Sequence, residues 1–179
     1  MAFSIVTHSP DETFQIGQAL GGMAKPGDVL LLQGPLGTGK TLLTQGLAKG
    51  LGITAPVTSP TFIIVNQYPG PLVLYHVDLY RIEATAEAID LGLDDYFFGD
   101  GVCVVEWPER APSAMPPEHL LVALEHVGEQ ERRFSFQPKG NRYQALAEQL
   151  REAIGQRQSR KAGGSRPHSG TEPPSGGSA

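Results

Sequence analysis

Cysteine is almost missing from the chain. Cys103 is the only one in 179 residues, so no disulfide can close within it, and none of the usual cysteine-based metal spacings occurs. It sits in the apolar run Val102-Cys103-Val104-Val105 and reads as a small buried hydrophobe. No apolar run approaches the roughly 20 residues that cross a bilayer, and no basic segment precedes an apolar one at the N-terminus. The expectation is a soluble cytoplasmic protein with no membrane association. Positive charge is scarce as well. The formal net charge is −5, and the stretch from Gly155 onward holds Arg157, Arg160, Lys161 and Arg166 against Glu172 alone, which leaves the rest at −8. A broad nucleic-acid surface needs clustered Lys and Arg to neutralise phosphates, so direct polynucleotide binding is disfavoured.

What is present is a glycine-rich phosphate-binding pattern. Gly34-Pro35-Leu36-Gly37-Thr38-Gly39-Lys40-Thr41 fits G-x-x-x-x-G-K-[ST] at every fixed position. Its glycines allow positive φ and bring backbone N–H groups against a polyphosphate. Lys40 supplies a point charge for the β and γ phosphates, and the Thr41 hydroxyl suits the shell of a magnesium ion. Gly34, Leu36, Gly37, Thr38, Gly39, Lys40 and Thr41 are thus candidate nucleotide-binding residues. The pattern needs a buried strand before it and a helix after it. Val29-Leu30-Leu31-Leu32 is the wholly apolar run of a parallel strand covered on both faces, and Leu42, Leu43, Gly46, Leu47 and Leu51 fall at helical spacing.

The remaining elements alternate in the same way. Phe3 to Thr7 predicts a strand, and Ser9-Pro10-Asp11-Glu12 has capping-box spacing for a helix to about Met23. Glu12 and Thr13 would approach the phosphate loop if that first strand paired beside the second. Thr58-Ser59-Pro60-Thr61-Phe62 is a hydroxyl-rich loop suited to a switch-like role, and Pro69-Gly70-Pro71 joins Ile63-Ile64-Val65 to Leu72 through Val77 as a hairpin. Glu83 to Leu91 predicts a short helix, Asp94 to Phe98 an aromatic-anchored loop, and Trp107 to Pro117 a rigid loop. Leu120 to Leu124 and Arg132 to Phe136 form a second hairpin, expected at the sheet edge. A closing helix runs from Arg142 to Ile154. The chain divides into a folded domain over 1–154 and a disordered Gly/Ser/Pro/Arg-rich tail over 155–179. The fold class is α/β: a three-layer P-loop NTPase-like domain with a central, mostly parallel sheet, antiparallel hairpin additions, and helices on both faces.

Two acids close apolar strands, Asp78 after Leu72 to Val77 and Glu106 after Val102 to Val105. Ligands of parallel sheets bind beyond the carboxyl ends of strands, so either acid is placed to serve magnesium. His76, two residues before Asp78 on the same strand face, either orients that acid or packs in the core. Trp107 follows Glu106 and is expected over the nucleotide, against a partner, or as packing.

Four stretches, Gly-Pro-Leu-Gly-Thr-Gly-Lys-Thr (34–41), Thr-Ser-Pro-Thr-Phe (58–62), His-Val-Asp-Leu-Tyr-Arg (76–81) and Glu-Trp-Pro-Glu (106–109), resemble the bacterial TsaE family in order and spacing. The resemblance implies a P-loop ATPase required for threonylcarbamoyladenosine formation on tRNA. It would work with the TsaD and TsaB proteins, resetting their complex between turnovers and meeting tRNA only through it. ATP or ADP and Mg2+ are the implied cofactors. Carried onto this chain, Thr41 and Glu106 would serve magnesium with Asp78 beside them, and Lys40, Asp78 and Glu106 would support catalysis. Thr61 would lie in the switch-like loop and Trp107 by the nucleotide. Glu12 and an arginine of the last hairpin, Arg132 or Arg133, would lie toward the adenosine. The rivals are a small-molecule P-loop kinase, which usually needs an arginine-rich lid, and a nucleotide-gated binding module without useful turnover. The absence of N-K-x-D and D-x-x-G disfavours a conventional GTPase.

Overall fold

The apolar run before the phosphate loop becomes the middle of a sheet. In a computed structural model of the chain, which describes residues 1–59 and 64–163, β1 (Phe3–Thr7), α1 (Pro10–Met23), β2 (Val29–Gln33) and α2 (Lys40–Gly50) come first. β3 (Val65–Tyr68), β4 (Leu74–Asp78), α3 (Thr85–Asp90), α4 (Asp94–Phe97) and β5 (Val102–Glu106) follow. Two short 3-10 turns, Pro108–Arg110 and Pro112–Ala114, then lead to β6 (His119–His126), β7 (Arg132–Lys139) and α5 (Asn141–Gly163).

One seven-stranded sheet has the order β1-β7-β6-β2-β5-β4-β3. Its four central strands, β6, β2, β5 and β4, are parallel; β7 pairs antiparallel with β6, β1 antiparallel with β7, and β3 antiparallel with β4. One face packs Leu20, Leu43, Leu47 and Leu146 of α1, α2 and α5 on the sheet; the other packs Ala88 and Phe97 of α3 and α4. This is the α/β architecture expected, with helices on both faces. Among the described residues no helix is long and apolar enough to cross a membrane.

Four sequence expectations are corrected. The β6–β7 hairpin is interior rather than at the edge: β6 pairs with β2, and β1 covers β7, with Phe3 stacked on Phe136 at 4.8 Å between ring centroids. The edges are β1 and β3. Asp94 to Phe97 is a short helix instead of a loop, its first turn acidic and its Phe97 buried as an anchor. The helix expected over Glu83 to Leu91 is trimmed to Thr85–Asp90, where the Glu87 carboxylate accepts the Ala84 backbone N–H at 3.2 Å. The closing helix, expected to stop at Ile154, continues to Gly163, through Gln156, Arg157 and Arg160, which are good helix formers. The remainder of the expected tail, 164–179, lies outside the described residues.

Helix α1 lies on α2 at backbone distance because glycines face each other. A Cβ on Gly17 would stand 2.1 Å from the Leu43 carbonyl oxygen, and one on Gly46 would stand 2.1 Å from that of Phe14. Gly21 and Gly50 repeat the arrangement one turn on. This contact brings Thr13 beside the phosphate loop, its methyl 3.6 Å from where a Cβ on Gly39 would be. The route differs from the one anticipated, since β1 pairs with β7 and not with β2. At the far end of β2, Arg142 donates to buried Asp28 (Nε to Oδ1, 2.9 Å), and the Val29 N–H donates to the Tyr143 hydroxyl at 2.8 Å.

Gly46→Ala is expected to force the two helices apart and to destabilise the protein by about 1–3 kcal/mol. At this size that is roughly 2–4 °C of melting temperature per kcal/mol. Gly22→Ala, whose Cβ meets nothing within 4 Å, is the control and should melt at or above wild type. Equal melting temperatures for Gly46→Ala and wild type would refute the close-packing account.

Candidate functional site

The loop from Gly34 to Gly39 connects the end of β2 to the start of α2. Gly34 is required by space, because a Cβ there would come within 2.4 Å of the Leu124 carbonyl oxygen. Gly39, at φ +102°, is the left-handed N-cap of α2, a conformation that a side chain would strain. The helix N-terminus and the loop amides behind it favour an anion. Leu36 stands at the tip, 79% exposed. Thr38 is buried, its hydroxyl donating to the Pro35 carbonyl at 2.8 Å.

Lys40 is folded back on this loop. Its Nζ donates to the carbonyls of Gly34 (2.6 Å) and Pro35 (2.9 Å) and lies 4.3 Å from the centre of the Trp107 ring. Burial lowers the pKa of the ammonium, and the carboxylates of Glu106, Glu109 and Asp78 oppose that shift.

Parallel register sets the two acids side by side, Asp78 opposite Glu106 and Glu106 opposite Leu32. The Glu106 carboxylate is 3% exposed; its Oε1 accepts from His76 Nε2 at 2.8 Å and stands 3.5 Å from the Thr41 hydroxyl. Asp78 accepts the Tyr80 N–H at 2.9 Å. Its carboxyl pKa is raised chiefly by burial, with Glu106 adding to the rise and the Tyr80 N–H, His76 and Lys40 pulling against it. His76 is thus a buried, packed histidine, as the second of the two sequence readings has it, and its hydrogen bond goes to Glu106.

Trp107 is, among the described residues, the only non-glycine with positive φ (60°). Such a conformation costs on the order of 1–3 kcal/mol. Its backbone N–H donates to the Leu32 carbonyl at 3.2 Å and its ring meets Tyr80 at 5.0 Å, while Arg110 lies 5.4 Å over Tyr80. Leu36, Gly37, Lys40, Thr41, Asp78, Glu106 and Trp107 together face a cavity of about 610 Å³. Tyr80, also on its wall, was not foreseen; an aromatic two residues past a strand-closing acid was the available signal.

The other predicted residues are spread more widely. Arg132 lines a smaller groove on the far side of the loop with Thr13, Gly37, Thr38 and Gly39, and donates to the carbonyls of Gly128, Glu129 and Glu131. Arg133 points the other way, to an exposed pair with Glu125 at 3.5 Å. Glu12 sits on the first turn of α1, accepts the His8 N–H at 2.9 Å, and borders a groove between α1, β1 and α5. Ser59 reaches the main cavity, but Thr61 lies outside the described residues.

Among the described residues no three His, Cys, Asp or Glu side chains form a ready-made metal cage. Thr41, Glu106 and Asp78 instead offer a few hard oxygens beside an anion-favouring loop. Such a donor set fits magnesium, which keeps waters and takes one or two carboxylates with substrate phosphates.

Residues 7–134 match the family model described as "Threonylcarbamoyl adenosine biosynthesis protein TsaE". The chain belongs to the TsaE family. It is 50% identical over 145 residues to the tRNA threonylcarbamoyladenosine biosynthesis protein TsaE of Bacillus subtilis, covering 80% of this chain and 90% of that one. The TsaE of Treponema pallidum is 41% identical over 119 residues, 66% of this chain and 88% of its own. The crystal structure of Bacillus subtilis YdiB superimposes with a TM-score of 0.76 at 42% identity, over 86% of this chain and 97% of that chain. The TsaE resemblance and the P-loop NTPase-like fold read from the sequence are both upheld.

The raised pKa of Asp78 has a thermodynamic consequence. Between the ordinary 3.8 of an aspartate and its raised folded value, the folded state binds more protons than the unfolded one, so wild-type stability falls as pH rises through that window. Asp78→Asn, which keeps an acceptor for the Tyr80 N–H, should melt higher than wild type at neutral pH without nucleotide or magnesium. That advantage should vanish in acid. A variant that melts at or below wild type at neutral pH would overturn this account.

Proposed function

We propose that this chain is the ATP-binding and ATP-hydrolysing component of the tRNA threonylcarbamoyladenosine machinery. In this reading it works in the cytoplasm with magnesium, weakly alone and faster beside TsaD and TsaB, whose complex it resets between turnovers. It engages tRNA only through that complex, in keeping with its acidic charge. The relatives' names support the pathway. The observation that carries the activity is the convergence of Lys40, Thr41, Asp78, Glu106 and Trp107 on one cavity of about 610 Å³, within the range of small-ligand and cofactor sites.

Each side chain has a role that its surroundings favour. The loop amides and the N-terminus of α2 bind the polyphosphate, and Lys40, whose acceptors among the described residues are the neutral carbonyls of Gly34 and Pro35, has stronger ones in phosphate oxygens. Thr41 and Glu106 would hold magnesium, with Asp78 next to it; the ion supplies neutralising charge to the phosphate oxygens. Asp78, whose carboxyl is disposed by burial to take a proton, orients the attacking water. Trp107 and Tyr80 wall off solvent.

Phosphate release by the purified chain, with and without TsaD and TsaB, tests this reading. Stimulation by both proteins is expected, and release that ignores them would remove the resetting role. Lys40→Ala should lower turnover by about 30-fold or more, the equivalent of losing at least about 2 kcal/mol from a buried charged contact; turnover within a factor of two of wild type would sink the phosphate-loop assignment. Glu106→Gln should raise the magnesium concentration for half-maximal activity, and an unchanged midpoint would remove Glu106 from the ion's shell.

A further inference from the structure

Glu106 is the most enclosed carboxylate of the cleft, and a buried acceptor of this kind needs donors. Thr41 is a poor one at 3.5 Å. The short contact is His76 Nε2 at 2.8 Å, from a ring with no exposed surface. Among the described residues, the other ring nitrogen, Nδ1, has no hydrogen-bond partner.

These contacts fix where the ring proton sits. With the proton on Nδ1 alone, the Nε2 lone pair would face a carboxylate oxygen, and the N–H would be a buried donor with no acceptor. A proton on Nε2 satisfies Glu106 and leaves Nδ1 with only a lone pair unpartnered, the less costly of the two tautomers.

We propose that His76 is a positioning residue for the magnesium-nucleotide site: its Nε2–H pins Oε1 of Glu106 and thereby fixes the orientation in which the carboxylate meets the cleft. The proposal rests on the magnesium-ATP reading above and adds to it the side chain that orients the candidate ligand. The backbone explains how a residue on β4 reaches an acid on β5. His76 pairs with Val104 in parallel register, and Glu106 is two residues on along the same face. A hydrogen bond from behind a ligating carboxylate restricts its rotation, and loss of such a contact typically weakens metal binding by roughly 10–100-fold.

Three measurements test it. Nitrogen-15 spectra of the histidine rings, assigned with His76→Gln and recorded without nucleotide or magnesium, should show a proton on His76 Nε2; a ring protonated on Nδ1 alone refutes the proposal without reference to any activity. ADP binding, followed by Trp107 fluorescence, should need about tenfold more magnesium in His76→Leu than in wild type. ADP binding without magnesium should be unchanged. In His76→Gln, whose amide supplies an N–H at similar reach, the midpoint should return to within about threefold of wild type. The third measurement combines the substitutions: in a Glu106→Gln background, His76→Leu should shift the midpoint no further, since it acts through Glu106. An unshifted His76→Leu, a failure of His76→Gln to restore the midpoint, or additive shifts would each overturn the positioning role. If His76→Leu does not fold, the ring spectrum and His76→Gln decide. Wild-type ADP binding that ignores magnesium would instead sink the magnesium-nucleotide reading, whatever the tautomer.

Discussion

Parallel pairing of β2, β5 and β4 is the constraint on which the cleft depends. Leu32, Glu106 and Asp78 lie level across three neighbouring strands, so the strands end together and discharge a phosphate loop, a glutamate and an aspartate at one sheet end. The strands can be wholly apolar because helices cover both faces, which leaves their ends as the first places where a charge meets water. A register slip of one residue would turn Glu106 and Asp78 to the opposite face. The apolar runs that fix the register therefore also fix the chemistry.

The same enclosure makes the site electrostatically uneasy without a ligand. Lys40 is pushed toward its neutral form and Asp78 toward its protonated form, both mainly by burial. Three carboxylates, from Asp78, Glu106 and Glu109, surround a single ammonium, and Trp107 is held in a left-handed backbone conformation beside them. A polyphosphate would satisfy Lys40, and a divalent cation would offset the carboxylates. A strained backbone and buried charges collected in one cleft are the pattern expected where stability has been traded for ligand recognition.

Much of this was legible in the sequence because the relevant signals are local. The phosphate loop needs fixed residue types at fixed positions, and the two acids announce themselves by ending apolar runs. What escaped depends on pairing between distant segments. His76 was set beside Asp78 by strand alternation, but Glu106 lies diagonally across from it on the same face of β5, a neighbour that only the pairing of β4 with β5 reveals. Contact across the sheet to Glu106 prevails. The β6–β7 hairpin reads as an edge until β1, more than a hundred residues earlier, is seen to cover it. The spacing Gly17-x-x-x-Gly21 and Gly46-x-x-x-Gly50 was visible all along, but only the packed helices show that each glycine makes room for the opposite backbone.

The adjacent arginines show how far strand periodicity reaches once the core face is known. Phe134 and Phe136 are both buried, so Arg132 shares their face of β7 and Arg133 takes the other. That face leads to the phosphate loop, because α1 lies on α2 at backbone distance and Thr13 closes the groove from the opposite wall. Arg133 is turned toward Glu125, its cross-strand neighbour. Of the two residues left open by the sequence, Arg132 is therefore the one that lines a groove beside the phosphate loop. Its guanidinium already donates to three carbonyls of the β6–β7 turn. Those contacts anchor the turn, so that the groove's outer wall, Glu129 and Gln130 included, is carried by the same side chain that lines it.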